Sequence, residues 1–245
     1  MNRCGAFTLT ELLVLMPVMA LVGTLLLAPL ENSSETVKAA ACANNMRQWG
    51  LAMALYCNDY RDFMPYEGVN YGVDTGFNLR AWFNVLPPYI NQPSLKDLYA
   101  HNQIPLPGMR SVFICPSSPA ISYGPTTYKP YFSYAMNRAN KGVAGRSYTR
   151  SKSVLPAQTI MFAESENNDF PFTDGFFLGV NNSPPIPLRH SGGDNFLFVD
   201  GHVQWVVQKD FSRSRSESNN TDIEWAKPRV VYWFPCGDPD NCGNG

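Results

Sequence analysis

Residues 7–30 read FTLTELLVLMPVMALVGTLLLAPL, and the nineteen residues from Leu12 to Leu30 carry no charge. Wound as an α-helix at about 1.5 Å per residue, the stretch is about 36 Å long, enough to cross the roughly 30 Å hydrocarbon core of a bilayer. The basic residue on its N-terminal side is Arg3. Positive charge there places the N-terminus in the cytoplasm and exports the chain beyond residue 30. A secretory signal peptide has a shorter apolar core, about 7–15 residues, and a small-x-small cleavage site. Here the run is longer, and Leu26-Leu27-Ala28 before Pro29 is a poor site. A plain signal anchor fits the length but leaves Glu11 unexplained. A carboxylate at helix-centre depth costs about 2.5–3.5 kcal/mol, less toward the end of a span, so such a residue usually has a task.

Composition excludes several classes. The 245 residues carry 19 basic and 20 acidic side chains, a net charge of −1, without the basic excess of a nucleic-acid binder. Charged residues are 16% and aromatics 13%, which argues against global disorder. No Gly-x-Ser-x-Gly, His-Glu-x-x-His or phosphate-loop pattern occurs anywhere in the sequence.

Beyond the span, Pro17 predicts a kink and Pro29 marks an end. Asn32-Ser33-Ser34-Glu35 offers an N-cap at Asn32 and an acid three positions on, so a bend or break is expected near 29–33. From Val37 to Tyr60, the residues Cys42, Met46, Trp49, Gly50, Met53, Cys57 and Tyr60 recur at three- and four-residue spacing. That is an amphipathic helix whose stripe packs on a sheet. After Asp62, short apolar runs alternate with Pro, Gly, Asn and Ser clusters, the mark of strands and loops. Candidate strands are 112–114, 131–135, 159–164, 175–178, 195–199, 202–207 and 230–234. Residues 65–110 read as loop with one short helix at Ala81–Leu86. Lys209–Asp222 reads as an exposed polar loop. The fold class is therefore α+β: a long N-terminal helix, transmembrane then amphipathic, packed on an antiparallel β-sheet head.

Asp200-Gly201 lies between two apolar runs and predicts a two-residue hairpin. On that turn Val199 faces His202 and Phe198 faces Val203. Phe196, Phe198, Val203 and Trp205 then share one buried face, with His202 and Gln204 on the other. His190, ten positions before Asp200, precedes a Gly-Gly loop and is expected to hydrogen-bond a nearby backbone group. Zinc chemistry needs three or four converging ligands, so His190, Asp200 and His202 are read as structural and no metal is assigned to them.

Two sets of residues carry a resemblance. Gly5-Ala6-Phe7-Thr8-Leu9-Thr10-Glu11-Leu12-Leu13 resembles the prepilin cleavage and methylation motif of type IV pilins and type II secretion pseudopilins. Arg189-His190-Ser191-Gly192-Gly193-Asp194-Asn195-Phe196-Leu197-Phe198-Val199-Asp200-Gly201-His202-Val203 resembles the closing His-x9-Asp-Gly motif of prepilin-like proteins. Ala43–Ala52 and Phe113-Ile114-Cys115-Pro116-Ser117 resemble that group's post-membrane helix and Cys-Pro-Ser element.

The resemblance implies a leader of residues 1–6, a transmembrane and assembly helix over 7–30, its amphipathic continuation over 31–60 and an exported head over 61–245. It implies cleavage after Ala6 by a prepilin peptidase, although the family prefers Gly directly before the cut, and N-methylation of Phe7. Glu11 would pair with the terminal ammonium of a neighbouring subunit and set register in a filament. The partners implied are that peptidase, other pilin-like subunits and the inner membrane, with no nucleic acid. The implied function is structural and not enzymatic: a pilin-like or pseudopilin-like subunit whose N-terminus is cytoplasmic and whose head is periplasmic or extracellular. A second reading is a membrane-anchored binding domain for glycans or peptides, motivated by Trp82, Tyr89, Tyr123, Tyr128, Tyr131 and Tyr148 in loop-rich sequence. A hydrolase using His190 and His202 ranks last.

Cleavage removes Cys4 and leaves five cysteines in an oxidising compartment. Cys236 and Cys242 flank a turn-rich loop and are expected to bond. Cys42 and Cys57 lie about 22 Å apart along a helix and cannot bond each other, so either is open to Cys115. The related group carries a cysteine in that part of its helix, which implies Cys42–Cys115 and leaves Cys57 a buried thiol. No cofactor is expected. Asp238, Asp240 and Asn241 would be the oxygen ligands if calcium binds near the C-terminus, as it does in some pseudopilins.

Overall fold

A computed structural model describes residues 9–69, 72–121, 124–127, 130–138, 149–168, 172–173, 187–214, 217 and 220–237; of 9–33 it gives the backbone alone, Met16 apart, and likewise of 166–168 and 172–173. The first element, α1, is a single helix over Leu9–Asp59. It is not broken at 29–33, and Asn32 lies inside it rather than at a cap. Proline removes one backbone bond, while helix already formed on both sides propagates cooperatively across the gap. Among the described residues no helix is long and apolar enough to cross a membrane; the side chains of the expected 7–30 span lie outside them.

The second half of α1 obeys its apolar period. Cys42, Met46, Trp49, Met53 and Cys57 are buried, whereas Tyr60 is exposed, beyond the helix, stacked on Tyr56 at 4.2 Å. Two left-handed residues, Arg61 (φ 55°) and Asp62 (φ 69°), end the helix, and the Asp62 N–H donates to the Cys57 carbonyl at 2.7 Å.

The head is a five-stranded sheet in the order β3-β1-β2-β4-β5, formed by β1 Phe132–Asn137, β2 Ile160–Asn168, β3 Phe172–Thr173, β4 Gly193–Phe198 and β5 Val203–Val207. Four strands pair antiparallel, and the two-residue β3 lies parallel to β1. This is the α+β class read from the sequence. The short helices are α2 Trp82–Val85, α3 Leu95–Ala100, α4 Gln208–Phe211 and α5 Thr221–Trp225. Two cores flank the sheet. One joins α1 and the 63–115 segment to Tyr134, Phe162 and Leu197; in it Trp82 meets Trp49 edge-on at 5.1 Å. The other joins Phe196, Phe198 and Val206 to Phe211, Val231 and Trp233.

The helix lies close on the β4–β5 hairpin. A Cβ on Gly50 would stand 2.9 Å from Leu197 Cδ1 and 3.2 Å from the Gly201 carbonyl, so the close approach requires glycine.

Several local expectations change. The hairpin register is displaced by one: Leu197 pairs with Val203 and Asn195 with Trp205. Phe198 N–H donates to His202 O, and Gly201 N–H to Phe198 O. The loop therefore has three residues, Val199-Asp200-Gly201, with Gly201 at φ 96° in the bulge position. One residue of slip exchanges the faces of β5 relative to β4. Phe196 and Phe198 share a face with Val206, Trp205 is half-exposed, and the His202 ring stacks on Phe198 at 4.4 Å. Residues 112–114 form a turn rather than a strand. Residues 230–234 are not a strand of the sheet: Tyr232 makes an isolated bridge to Thr159, Trp233 O accepts from Asn137 Nδ2 at 2.6 Å, and the Trp233 ring meets Phe196. The 175–178 strand lies outside the described residues. The 209–222 stretch is not simply an exposed loop: Phe211 is buried, and buried Arg213 Nε donates to Glu224 Oε1 at 2.9 Å. The Glu224 carboxylate also accepts from the Trp233 and Phe234 N–H groups, fixing the C-terminal segment under the sheet.

Candidate functional site: the joint between helix and head

Glu164 interrupts the apolar β2 run Ile160-Met161-Phe162-Ala163 and is fully buried opposite Tyr134 of β1. Its carboxylate accepts from His190 Nε2 at 2.8 Å, Asn195 Nδ2 at 3.4 Å and Arg189 Nη1 at 3.4 Å. The turn before β4 delivers Arg189 and His190. Ser191 (φ 56°) and Gly192 (φ 83°) are left-handed there, His190 N–H donates to Gly193 O, and Trp205 Nε1 donates to His190 O at 2.7 Å. The expected backbone partner for the His190 side chain is replaced by the Glu164 carboxylate. Because a carboxylate only accepts, Nε2 carries the proton toward it. Nδ1 is buried without a hydrogen-bond partner among the described residues.

The cluster abuts a covalent bond. Cys42 of α1 and Cys115 are joined, with Cα atoms 5.0 Å apart, and Cys115 Sγ lies 3.7 Å from His190 Nε2. The two sulfurs, His190 and a Glu164 oxygen all fall within 4.8 Å of one another, and all four residues are buried. Asn45 Nδ2 donates to the carbonyls of Ser111 and Ile114 and to Tyr134 Oη, and Trp49 Nε1 donates to Val112 O. Asn195 Nδ2 reaches Ala39 O at 3.4 Å. Burial, and then the Glu164 charge, hold the Asp194 carboxyl well above the usual carboxylate range, with Arg189 opposing.

The His-x9-Asp-Gly spacing acquires a physical meaning here. Its His end meets α1 at Ala39 and Cys42, and its Gly end meets α1 at Gly50. From Ala39 to Gly50 the helix rises about 16 Å, and the end of β4, from Asn195 to Phe198, with the three-residue loop after it carries the chain along that stretch to Gly201. The motif thus fits one strand along one helix and fastens both ends. Asp200 serves the turn: its Oδ1 accepts from the His202 N–H at 3.1 Å and pairs with His202 Nδ1 at 2.6 Å. His190, Asp200 and His202 therefore do not converge. Glu164, Arg189, Asp194 and Asn195 carry no role in the sequence reading: the last three stand inside the closing motif and Glu164 ends the 159–164 run, where a carboxylate after an apolar stretch was the visible signal.

The remaining expected positions are scattered. Gly5, Ala6 and Phe7 lie outside the described residues, and of Glu11 only the backbone, within α1, is described. Cys236 is disulfide-bonded; Cys242, Asp238, Asp240 and Asn241 lie outside the described residues. Cys57 is a free, buried thiol, pushed up to about 12 by burial. Trp82 and Tyr131 are core residues, Tyr89 donates its hydroxyl to Asp59, and Tyr123, Tyr128 and Tyr148 lie outside the described residues. A surface cleft of ≈ 520 Å³ between α1 and residues 108–116 is lined by Asn45, Gln48, Met109 and Arg110 among others, with no aromatic ring among the described residues.

The model of a family described as protein of unknown function (DUF1559) matches residues 35–175, more than half of the chain. The chain belongs to this family. In this DUF1559 protein the matched stretch supplies Cys42, Asn45, Trp49, Cys115 and Glu164, while Arg189, His190 and Asn195 reach the joint from beyond it. No curated protein and no solved structure matches the chain.

Proposed function

We propose that this DUF1559 protein is a pilin-like or pseudopilin-like structural subunit. Its precursor is held in the inner membrane by residues 7–30, with a cytoplasmic N-terminus and an exported head. A prepilin peptidase cuts after Ala6 and methylates Phe7. Subunits then assemble through the apolar helix into a filament of the type II secretion or type IV pilus kind, with Glu11 setting register by pairing with a neighbour's terminal ammonium. The role is assembly and not catalysis.

The observation that carries this reading is the form of α1. One helix runs from Leu9 to Asp59, and its second half is fixed to the head by a disulfide, by Asn45 and Trp49, and by Asn195. From Leu9 to Cys42 the helix rises about 50 Å, a lever of the length that membrane anchorage and then helix–helix packing require. The buried cluster supports the same reading. The side chains of His190 and Glu164 are 2% and 0% exposed, a sealed pair suited to holding a joint rather than to meeting substrate.

The test is a Glu11→Val variant expressed with its native assembly machinery. Expected is a subunit still shortened to its mature size but missing from sheared surface filaments. Filament yield equal to wild type would overturn the assembly role.

A further inference from the structure

The donors around His190 come from four separate segments: Cys42 on α1, Cys115 on the 111–118 turns, Glu164 on β2 and His190 before β4. We infer that the same four side chains form a closed zinc site when Cys42 and Cys115 are thiols, so that zinc and the disulfide are alternative closures of one joint.

The geometry is close to what zinc requires. Tetrahedral zinc with bonds of about 2.3 Å to sulfur and 2.0–2.2 Å to nitrogen and oxygen places its donors roughly 3.3–3.8 Å apart. Cys115 Sγ and His190 Nε2 are already 3.7 Å apart, and all four donors fit within 4.8 Å. Nε2 and Glu164 Oε1, at 2.8 Å, open slightly, and the sulfurs part from bonding distance. Two thiolates and a histidine nitrogen suit zinc over calcium or magnesium.

The surroundings match in charge. Two thiolates, one carboxylate and Zn²⁺ sum to −1, and the Arg189 guanidinium, 3.4 Å from Glu164 Oε2, supplies +1. The imidazole proton that Nε2 now directs at Glu164 moves to Nδ1, which is buried with no hydrogen-bond partner among the described residues, a cost to the site that the two sulfur ligands must outweigh.

The interconversion balances. Two thiols and Zn²⁺ give the zinc dithiolate and two protons. A disulfide donor then takes two electrons from the thiolates, forming Cys42–Cys115, two donor thiolates and free Zn²⁺. Zinc would thus close the joint in the chain before it meets an oxidant, and oxidation would replace it.

The experiment uses the full chain in detergent, reduced with a phosphine in metal-free buffer and titrated with Co²⁺. Expected is one Co²⁺ per chain with a thiolate charge-transfer band and tetrahedral d–d absorption, displaced by Zn²⁺. The spectrum should vanish in the Cys42→Ser/Cys115→Ser variant and require at least about tenfold more metal in His190→Ala. In the unaltered reduced chain, Zn²⁺ should slow alkylation of Cys42 and Cys115 at least about tenfold and leave Cys57 unchanged, a readout that does not depend on any variant folding. The inference is overturned if the cobalt spectrum is absent, if it persists in the double variant, or if Zn²⁺ leaves alkylation of Cys42 and Cys115 unchanged.

Discussion

Replacing both Cys42 and Cys115 by alanine should cost the head more than any other change at the joint. The bond spans a sequence separation of 73, so it closes a loop of about 74 residues in the unfolded chain. The loop-entropy relation gives about 4.4 kcal/mol at 25 °C for that length. For a folded unit of 150–250 residues, 1 kcal/mol moves Tm by about 2–4 °C, so the expected fall is roughly 10–15 °C. The assay is thermal unfolding in detergent monitored by tryptophan fluorescence, since Trp49, Trp82 and Trp233 are fully buried. A phosphine also opens the Cys236 bond, so wild type and double variant are compared after the same reduction in metal-free buffer, where their Tm values should coincide. A fall below about 3 °C, or a reduced wild type that stays well above the reduced variant, would refute the view that this bond fastens the helix to the head.

Three further outcomes rest on named contacts. Gly50→Val should destabilise the head by about 1–3 kcal/mol despite a better helix propensity, because the new Cβ meets Leu197 and the Gly201 carbonyl; denaturant midpoints measure it, and a neutral result would contradict the close approach. Asp194 has a raised carboxyl pKa, so it binds its proton more tightly folded than unfolded. Its share of stability is full below the unfolded value near pH 4 and declines as pH rises through and above that value toward the folded one. Asp194→Asn should therefore gain on wild type from about pH 4 upward, read as a difference in urea midpoints at several pH values; a constant difference would count against a buried carboxyl. Cys57, with its thiol pushed up to about 12, should resist alkylation at pH 8 in the native chain and label only on unfolding, which peptide mass spectrometry resolves.

Much of the fold was legible because its periods are local. The Cys42, Met46, Trp49, Met53, Cys57 stripe is set by burial on one helix face, and strands β1, β2, β4 and β5 announce themselves as apolar runs. The hairpin register was not legible. Asp200-Gly201 serves a two-residue turn and a three-residue bulged loop alike, and only the pairing of Phe198 with His202 decides between them. Residues 230–234 look like a strand, but only Tyr232 pairs with a neighbouring segment, and the Glu224 carboxylate takes the place of a strand acceptor for the Trp233 and Phe234 N–H groups. The site was half legible. His190 stood out by its spacing from Asp200, yet its partner Glu164 lies 26 residues earlier. No local pattern encodes which distant carboxylate a buried histidine will meet.

For α1 to become an assembly helix, the precursor must be cut at one bond. The most direct measurement is mass spectrometry of the N-terminal peptide from chain recovered from its native membrane. An assembly subunit yields a peptide beginning at N-methylated Phe7; a peptide beginning at Met1, or at a residue beyond the apolar run, would contradict that role.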